Sequence, residues 1–196
     1  MNVAILKYNA GNVQSVTYAL ERLGVSPILT DNPEKLQQAD KVIFPGVGEA
    51  STTMQYLKRH QLDQVIRELK QPFLGICLGM QLMCQHSEEG DVDCLGVFSE
   101  PVKRFPNQGL KVPHMGWNKL LDYSSPLFET LPQDPYVYFV HSYYVAVGPD
   151  TIASSDYGLP FSAALHKENY YATQFHPEKS GDVGSKILEQ FLKIDR

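Results

Sequence analysis

A cysteine flanked by glycines is the residue of this sequence best placed for nucleophilic chemistry. Cys77 stands in the segment Gly75-Ile76-Cys77-Leu78-Gly79-Met80-Gln81, between an apolar run and a helix-like stretch. Small residues two positions before and after a nucleophile are typical of a nucleophile elbow, where a strand turns sharply into a helix. The turn would place Cys77 at the C-terminal edge of a sheet and at a helix N-terminus, whose dipole favours thiolate over thiol. The alternative is an inert core cysteine.

A cysteine nucleophile needs a general base, and the base needs a group that fixes its tautomer. The tripeptide His176-Pro177-Glu178 follows a strand-like run, and we expect Pro177 to keep the backbone extended. Side chains two apart in an extended segment point to the same side. Glu178 would then accept a proton from one imidazole nitrogen while the other faces Cys77. Of the other five histidines, His114 and His141 lie near strand ends and could approach the site, whereas His60, His86 and His166 have surface-like surroundings.

The elements that must position these residues follow two patterns. In the first half of the chain, apolar runs alternate with helix-like stretches, which predicts a parallel sheet covered on both faces. The predicted strands are Val3–Leu6, Ile28-Leu29, Val42–Phe44 and Phe73–Ile76. A turn is predicted at residues 9–12, then a helix from Val13 that ends near Gly24, and another helix begins at Asp31-Asn32-Pro33.

The second half contains short β-type runs broken by Pro and Gly, which favour antiparallel additions to the sheet. These runs are Val97-Phe98, Val112, Tyr136–Val140, Tyr143–Val147 and Phe161–Leu165; a further strand, Tyr170–Phe175, and a closing helix, Val183–Leu192, follow. The sequence therefore predicts an α/β fold of three α/β/α layers, with an open, mostly parallel sheet. Residues 1–196 are expected to form a single domain.

Composition excludes several classes of function. A formal net charge of −5 argues against nucleic-acid binding, and no apolar run is long enough for a membrane span. The first residues have the pattern of a buried strand and not of a signal peptide. Three cysteines without CxxC spacing indicate free thiols in a reducing cytoplasm, with neither a disulfide framework nor a metal site. We expect no cofactor.

Taken together, three motifs resemble those of the class I glutamine amidotransferases. They are the loop Pro45-Gly46-Val47-Gly48, the segment Gly75 to Gln81, and His176-Pro177-Glu178, in the family's order and over nearly the whole chain. The resemblance implies a glutaminase in which Cys77 attacks the side-chain amide of glutamine and His176 passes a proton to the departing ammonia.

The resemblance also implies which residues surround the substrate. Backbone amides near Val47 or Gly48, together with that of Leu78, would form the oxyanion hole. Gln81 would hold the amino-acid end of glutamine, and the segment Ser142-Tyr143 would contact the substrate too. The alternatives are an exposed helix residue for Gln81 and a strand-end hydroxyl for Ser142.

Within the family, three further strings are similar to those of members that supply ammonia to a separate cyclase subunit with a (β/α)8-barrel fold. The strings are Pro113 to Asn118, Tyr138 to Tyr143 and Gln174 to Gly181. The resemblance implies a heterodimer active in histidine biosynthesis. Trp117 and Tyr138 are candidate interface anchors, with core packing as the equal alternative. Other functions left open are a subunit for anthranilate, aminodeoxychorismate or guanylate synthesis, a cysteine hydrolase of this fold, and a non-catalytic regulatory module.

Overall fold

The secondary structure alternates strand and helix up to residue 83 and then changes to short strands. The computed structural model describes residues 1–9, 13–107 and 109–195. These ranges contain thirteen strands: β1 (Val3–Leu6), β2 (Ile28–Thr30), β3 (Lys41–Phe44), β4 (Phe73–Ile76), β5 (His86–Ser87), β6 (Val92–Asp93), β7 (Val102–Arg104), β8 (His114–Lys119), β9 (Tyr136–His141), β10 (Tyr143–Val145), β11 (Thr151–Asp156), β12 (Pro160–Lys167) and β13 (Tyr170–Thr173). They also contain six α-helices: α1 (Val13–Arg22), α2 (Pro33–Gln38), α3 (Ala50–Arg59), α4 (Leu62–Glu68), α5 (Leu78–Met83) and α6 (Gly181–Lys193). Two short 3-10 helices cover Pro126–Phe128 and Pro177–Lys179.

The central sheet has seven strands in the order β11-β12-β13-β4-β3-β1-β2. Strands β2, β1, β3, β4 and β13 are parallel to one another, while β12 pairs antiparallel with both β11 and β13. The predicted α/β class, with a mostly parallel sheet and antiparallel additions, is confirmed.

Both faces of this sheet are buried because alternate residues of each strand enter different cores. In β1, Ala4 and Leu6 pack into one apolar cluster, and Val3 and Ile5 pack into the other. A strand buried on both faces is apolar at every position, which explains the uninterrupted run that marked β1 in the sequence. The two cores give the predicted three layers.

The first helices begin and end where the sequence predicted. The side chain of Asn32 accepts a hydrogen bond from the Lys35 amide, which caps α2 at the expected position. Gly24 follows α1 with φ 78°, a left-handed conformation that glycine adopts without strain. The predicted turn at residues 9–12 falls mainly on residues 10–12, which lie outside the described ranges.

In the second half, several predictions of strands were wrong. Residues 97 and 98 form no strand: both amides donate to the Met83 carbonyl, which folds this segment against the end of α5. Val112 also lies outside the strands, because Pro113 has no N–H to donate to the hydrogen bonds between strands. The strand in this region is β8, which begins two residues later. Strands β10, β7, β5 and β6 form a separate sheet, as do β8 and β9, so these strands do not extend the central sheet.

The register of the central sheet brings the three sequence motifs to one edge. Phe44 pairs with Gly75, and Ile76 pairs with Thr173, so β3, β4 and β13 end close together. The residues that follow these ends are those of the three motifs. This is the edge at which open parallel sheets bind ligands.

No helix in the described part of the chain is long and apolar enough to cross a membrane.

Candidate active site

Cys77 occupies a strained turn between β4 and α5. Its φ is 55° and its ψ is −108°, a conformation that residues with a Cβ rarely adopt, and its side chain is 8% exposed. The Cys77 amide donates to the Thr173 carbonyl at 2.7 Å, which ties the turn to β13. Strain of this kind is found where a side chain must project from a sharp turn.

The flanking glycines are required by close contacts between backbones. A Cβ at Gly79 would overlap the carbonyl oxygen of Phe44, at the end of β3. A Cβ at Gly75 would lie 2.5 Å from the Met83 sulfur and 2.9 Å from the carbonyl carbon of Gly79. Any larger residue at either position would push α5 away from the sheet, so the spacing read from the sequence has a steric cause.

His176 and Glu178 form a buried pair, but in a different backbone conformation from the predicted one. His176 Nδ1 lies 2.8 Å from Glu178 Oε1, and each side chain is 1% exposed. The predicted extended segment was wrong, because Pro177 begins a 3-10 helix that extends to Lys179. The fixed φ of proline suits the first position of such a turn as well as it suits a strand.

The environment of His176 favours its protonated form. Burial alone would lower its pKa, but the charge and hydrogen bonding of Cys77, followed by those of Glu178, raise the pKa to about 10. Since Glu178 contacts Nδ1, the Nε2 atom is the one available to Cys77; among the described residues, no group lies in hydrogen-bonding geometry with Nε2. These neighbours therefore hold His176 as an imidazolium near neutral pH.

A cavity of about 300 Å³ opens in front of Cys77. Its lining includes nearly all of the catalytic, oxyanion-hole and substrate-contacting residues predicted from the sequence, namely Val47, Gly48, Cys77, Leu78, Gln81, Ser142, Tyr143 and His176. Glu178 does not line it and instead contacts His176. Glu89 and His141 are additional lining residues, and Glu89 was not anticipated.

The loop after β3 is held against the end of β1. The Tyr8 hydroxyl donates to the Pro45 carbonyl at 2.7 Å. Burial and the nearby Cys77 charge raise the pKa of Tyr8, while a hydrogen bond from the Val47 amide opposes that rise. The Leu78 N–H belongs to the first residue of α5 and has no partner within the helix.

Gln81 is buried and tightly hydrogen-bonded, so the alternative of an exposed helix residue was wrong. It is 4% exposed, and its Nε2 donates to the Tyr143 carbonyl at 3.0 Å and to Gln174 Oε1 at 2.9 Å. Gln174 also lies 3.7 Å from the Cys77 sulfur through its own Nε2. Sequence reasoning missed Gln174; the one available indication was a polar residue at the end of an otherwise apolar run.

His141, which lines the cavity, forms a second buried pair with His114. His114 Nδ1 lies 2.9 Å from His141 Nε2, and His141 Nδ1 lies 2.7 Å from the Tyr143 carbonyl. Since a carbonyl only accepts, Nδ1 of His141 carries its proton and Nε2 accepts from His114. Burial lowers the pKa of His114 to about 4 and that of His141 to about 3, so both are neutral near pH 7.

Trp117 and Tyr138 pair across the β8–β9 hairpin, with ring centroids 6.0 Å apart. Trp117 is 56% exposed, which excludes the core-packing alternative for this residue, and Tyr138 is half-buried. Met115 and Tyr136 on the same strands are also exposed. The hairpin thus carries an exposed apolar surface, defined here by Met115, Trp117, Tyr136 and Tyr138.

The other cysteines lie outside this site. Cys84 is fully buried, and Cys94 is 5% exposed. Within the residues that the structure describes, no group of His, Cys, Asp and Glu side chains could hold a metal ion.

Comparison with known proteins identifies the family. The model of the family "Glutamine amidotransferase class-I" matches residues 4–194. The chain belongs to the class I glutamine amidotransferases. Curated relatives named "Imidazole glycerol phosphate synthase subunit HisH" are 61% identical in Bacteroides fragilis, covering 99% of this chain and 100% of that protein, and 51% identical in Idiomarina loihiensis, covering 99% and 98%.

Solved structures of related amidotransferases share the fold. A protein from Thermoplasma acidophilum, described as a GMP synthase subunit, superposes with a TM-score of 0.77 at 21% identity, covering 98% of this chain and 92% of that one. A structure described as a glutamine amidotransferase gives a TM-score of 0.76 at 21% identity, with 97% of each chain covered. At these identities the likeness supports the fold alone.

Proposed function

We propose that this class I glutamine amidotransferase is the glutaminase subunit of imidazole glycerol phosphate synthase. It hydrolyses glutamine to glutamate and ammonia and supplies the ammonia to a cyclase subunit in histidine biosynthesis. The observation that carries the proposal is 61% identity over 99% of the chain to relatives with that name. The Cys77–His176–Glu178 geometry supports the chemistry, and one glutaminase domain formed by residues 1–196 is part of the proposal.

Cys77 is the proposed nucleophile. Its thiolate attacks the side-chain carbonyl carbon of glutamine, and a tetrahedral intermediate forms. The imidazolium of His176 donates its Nε2 proton to the leaving nitrogen, so that ammonia departs and a glutamyl thioester remains. His176 then takes a proton from the attacking water, and hydrolysis of the thioester releases glutamate and restores the thiolate.

Glu178 orients and supports His176. Its contact with Nδ1 keeps a proton on that nitrogen and directs Nε2 to Cys77, and its negative charge stabilises the imidazolium. The pair is buried, so the ionic interaction is weakly screened by solvent.

We propose that backbone amides donate hydrogen bonds to the oxyanion of the tetrahedral intermediate. The Leu78 N–H, at the start of α5, and an amide of the Val47-Gly48 peptide are the candidate donors. A missing oxyanion donor costs roughly 3–4 kcal/mol in the transition state, so this loop can control the rate.

Gln81, Ser142 and Tyr143 are the proposed contacts for the amino-acid end of glutamine. Both hydrogens of the Gln81 amide are used by Tyr143 and Gln174, which leaves Oε1 as an acceptor. An acceptor suits the α-ammonium group of the substrate.

The exposed apolar surface of the β8–β9 hairpin is the proposed docking site for a separate (β/α)8-barrel cyclase, in a heterodimer. Ammonia in water is largely protonated near neutral pH and is then no nucleophile, so a tight junction between the subunits protects it. The proposal is supported by His141 and Val140, which belong to the same hairpin and line the cavity in front of Cys77. The proposal places the complex in the cytoplasm.

The proposed function is tested by reconstituting synthesis. The chain is mixed with a barrel cyclase, with the synthase subunit for anthranilate, or with the one for guanylate, and glutamine-dependent product formation is measured. We expect product only with the cyclase, together with faster glutamine hydrolysis when the cyclase holds its nucleotide. Activity with another synthase, and none with the cyclase, would refute the assignment.

The proposed docking surface leads to a separate prediction about binding to the cyclase. Trp117→Ala should weaken binding to the cyclase by about 30-fold or more, since truncation of a central interface aromatic costs roughly 2 kcal/mol or more. Binding is measured by calorimetry. Leu29→Ala, which truncates an exposed residue on the edge strand β2, is the matched control and should bind normally. Equal affinities of both variants and the unmodified chain would place the interface elsewhere.

A further inference from the structure

Gln174 is a fully buried amide located between the nucleophile and the substrate-binding glutamine. It is 0% exposed, its Nε2 lies 3.7 Å from the Cys77 sulfur, and its Oε1 accepts from Gln81 Nε2 at 2.9 Å. Its backbone amide donates to the Ala163 carbonyl at 2.8 Å, which fixes the residue to β12. A buried polar side chain is costly unless its hydrogen bonds are satisfied, and both ends of Gln174 are engaged.

The direction of these hydrogen bonds follows from one carbonyl group. The Tyr143 carbonyl can only accept, so the group of Gln81 that faces it must be the NH₂. The second hydrogen of that NH₂ is donated to Gln174, whose oxygen must therefore face Gln81. The NH₂ of Gln174 is left to face Cys77. The chain of donors consequently ends on the sulfur.

A donor at this position favours the negatively charged sulfur. The Val140 carbonyl, 3.8 Å from the sulfur, is an acceptor and interacts well only with the thiol. His176 is the cationic neighbour, while Tyr8 and His141 are neutral near pH 7 and Glu89 is a carboxyl group on the cavity wall. Gln174 is thus a neutral donor that supplements His176 in stabilising the thiolate.

We propose that Gln174 is a positioning residue of the glutaminase reaction, whose amide holds the Cys77 sulfur as a hydrogen-bonded thiolate and fixes Gln81 in its substrate-binding orientation. The inference rests on the proposed function, because it assigns Gln174 a role in that same site. It predicts that the two ends of the amide affect different kinetic constants.

Two substitutions separate the two ends. Gln174→Glu keeps an acceptor for Gln81 but replaces the donor to sulfur with a negative charge. It should lower kcat of the cyclase complex by about 10- to 100-fold with little change in KM, as expected for loss of a hydrogen bond to a charged group. Gln174→Met removes both contacts and should lower kcat and also raise KM by about 5-fold. Gln190→Glu and Gln190→Met are the controls, since Gln190 is a buried glutamine on α6 bonded to Thr130, and they should leave both constants unchanged.

Alkylation gives a readout that needs no glutamine hydrolysis. The rate of iodoacetamide modification of Cys77, followed by mass spectrometry of its peptide, is measured against pH for the complex. The midpoint of this profile should move up by about one pH unit or more in Gln174→Glu and by less in Gln174→Met. A complex that cannot hydrolyse glutamine but shows these shifts would refute the proposed function and leave the Gln174 contact intact. Unchanged midpoints and kcat in the variants, beside an active unmodified complex, would overturn the Gln174 proposal. If Gln174→Glu does not fold, the alkylation midpoint and kcat of Gln174→Met alone decide whether the proposal holds.

Discussion

Cys77→Ala is expected to abolish glutamine-dependent synthesis while synthesis from added ammonium salts continues at its normal rate. In the proposed mechanism the sulfur forms the covalent bond to the substrate, and no other described side chain in the cavity is a thiol. Loss of a nucleophile that acts as a unit with its base costs at least about 10⁴-fold. The cyclase chemistry belongs to the partner, so ammonia supplied from solution bypasses the missing step.

The measurement is product formation by the complex with either glutamine or ammonium as nitrogen donor. Cys94→Ala removes a buried cysteine that lies outside the cavity and is the matched control, for which both activities should persist. Loss of both activities in a folded Cys77→Ala complex would contradict the division of labour between two subunits. Retention of glutamine-dependent synthesis would show that Cys77 is not the nucleophile.

The elbow could be predicted because its cause is local. Glycine at positions 75 and 79 reflects contacts of one strand–turn–helix unit and the strand beside it, and the short spacing in the sequence corresponds to a short distance in space. The parallel strands could also be predicted from the sequence. Strands β1, β3 and β4 are buried on both faces and are therefore apolar at nearly every position.

Features that depend on distant contacts could not be predicted in the same way. The side chain of Gln174 is hydrogen-bonded to Gln81 and Cys77, which are 93 and 97 positions away in the sequence. Strand β8 contains Gly116, Trp117 and Asn118, a weak β pattern by residue type, and forms because it pairs along its whole length with β9. Pairing between distant segments also explains why β8 and β9 form a sheet of their own and do not join the central sheet.

The His176–Glu178 pair shows how a contact can be predicted for an incorrect geometric reason. An extended segment and a 3-10 turn both bring residues i and i+2 close enough for side chains of these lengths to meet. Proline at the intervening position is compatible with both conformations. The sequence therefore favoured the pair, while the backbone conformation was determined by tertiary contacts, among them the hydrogen bond that the His176 amide donates to the Tyr138 carbonyl at 2.9 Å.

His176→Asn is expected to reduce glutamine hydrolysis nearly as much as loss of Cys77, whereas Glu178→Gln should be milder by about 100-fold. In the proposed mechanism His176 carries the proton to the leaving nitrogen, and asparagine cannot replace it. Glu178 contributes through His176 alone. The charge and hydrogen bonding of Cys77 raise the pKa of His176, as do those of Glu178, so part of the imidazolium's stabilisation survives in Glu178→Gln.

The pH profile separates the two roles. A protonated His176 favours activity, and its pKa of about 10 sets the alkaline limit of the thiolate–imidazolium pair. Removal of the Glu178 charge lowers that pKa, so the alkaline limb of kcat/KM should move to lower pH in Glu178→Gln, while the acid limb should stay in place. Glu189→Gln, which removes an exposed carboxylate paired with Lys193, is the control and should leave the profile unchanged. If Glu178→Gln folds normally and is as inactive as Cys77→Ala, then Glu178 does more than orient His176. The milder phenotype is expected because the charge and hydrogen bonding of Cys77 continue to raise the pKa of His176 when the Glu178 charge is removed.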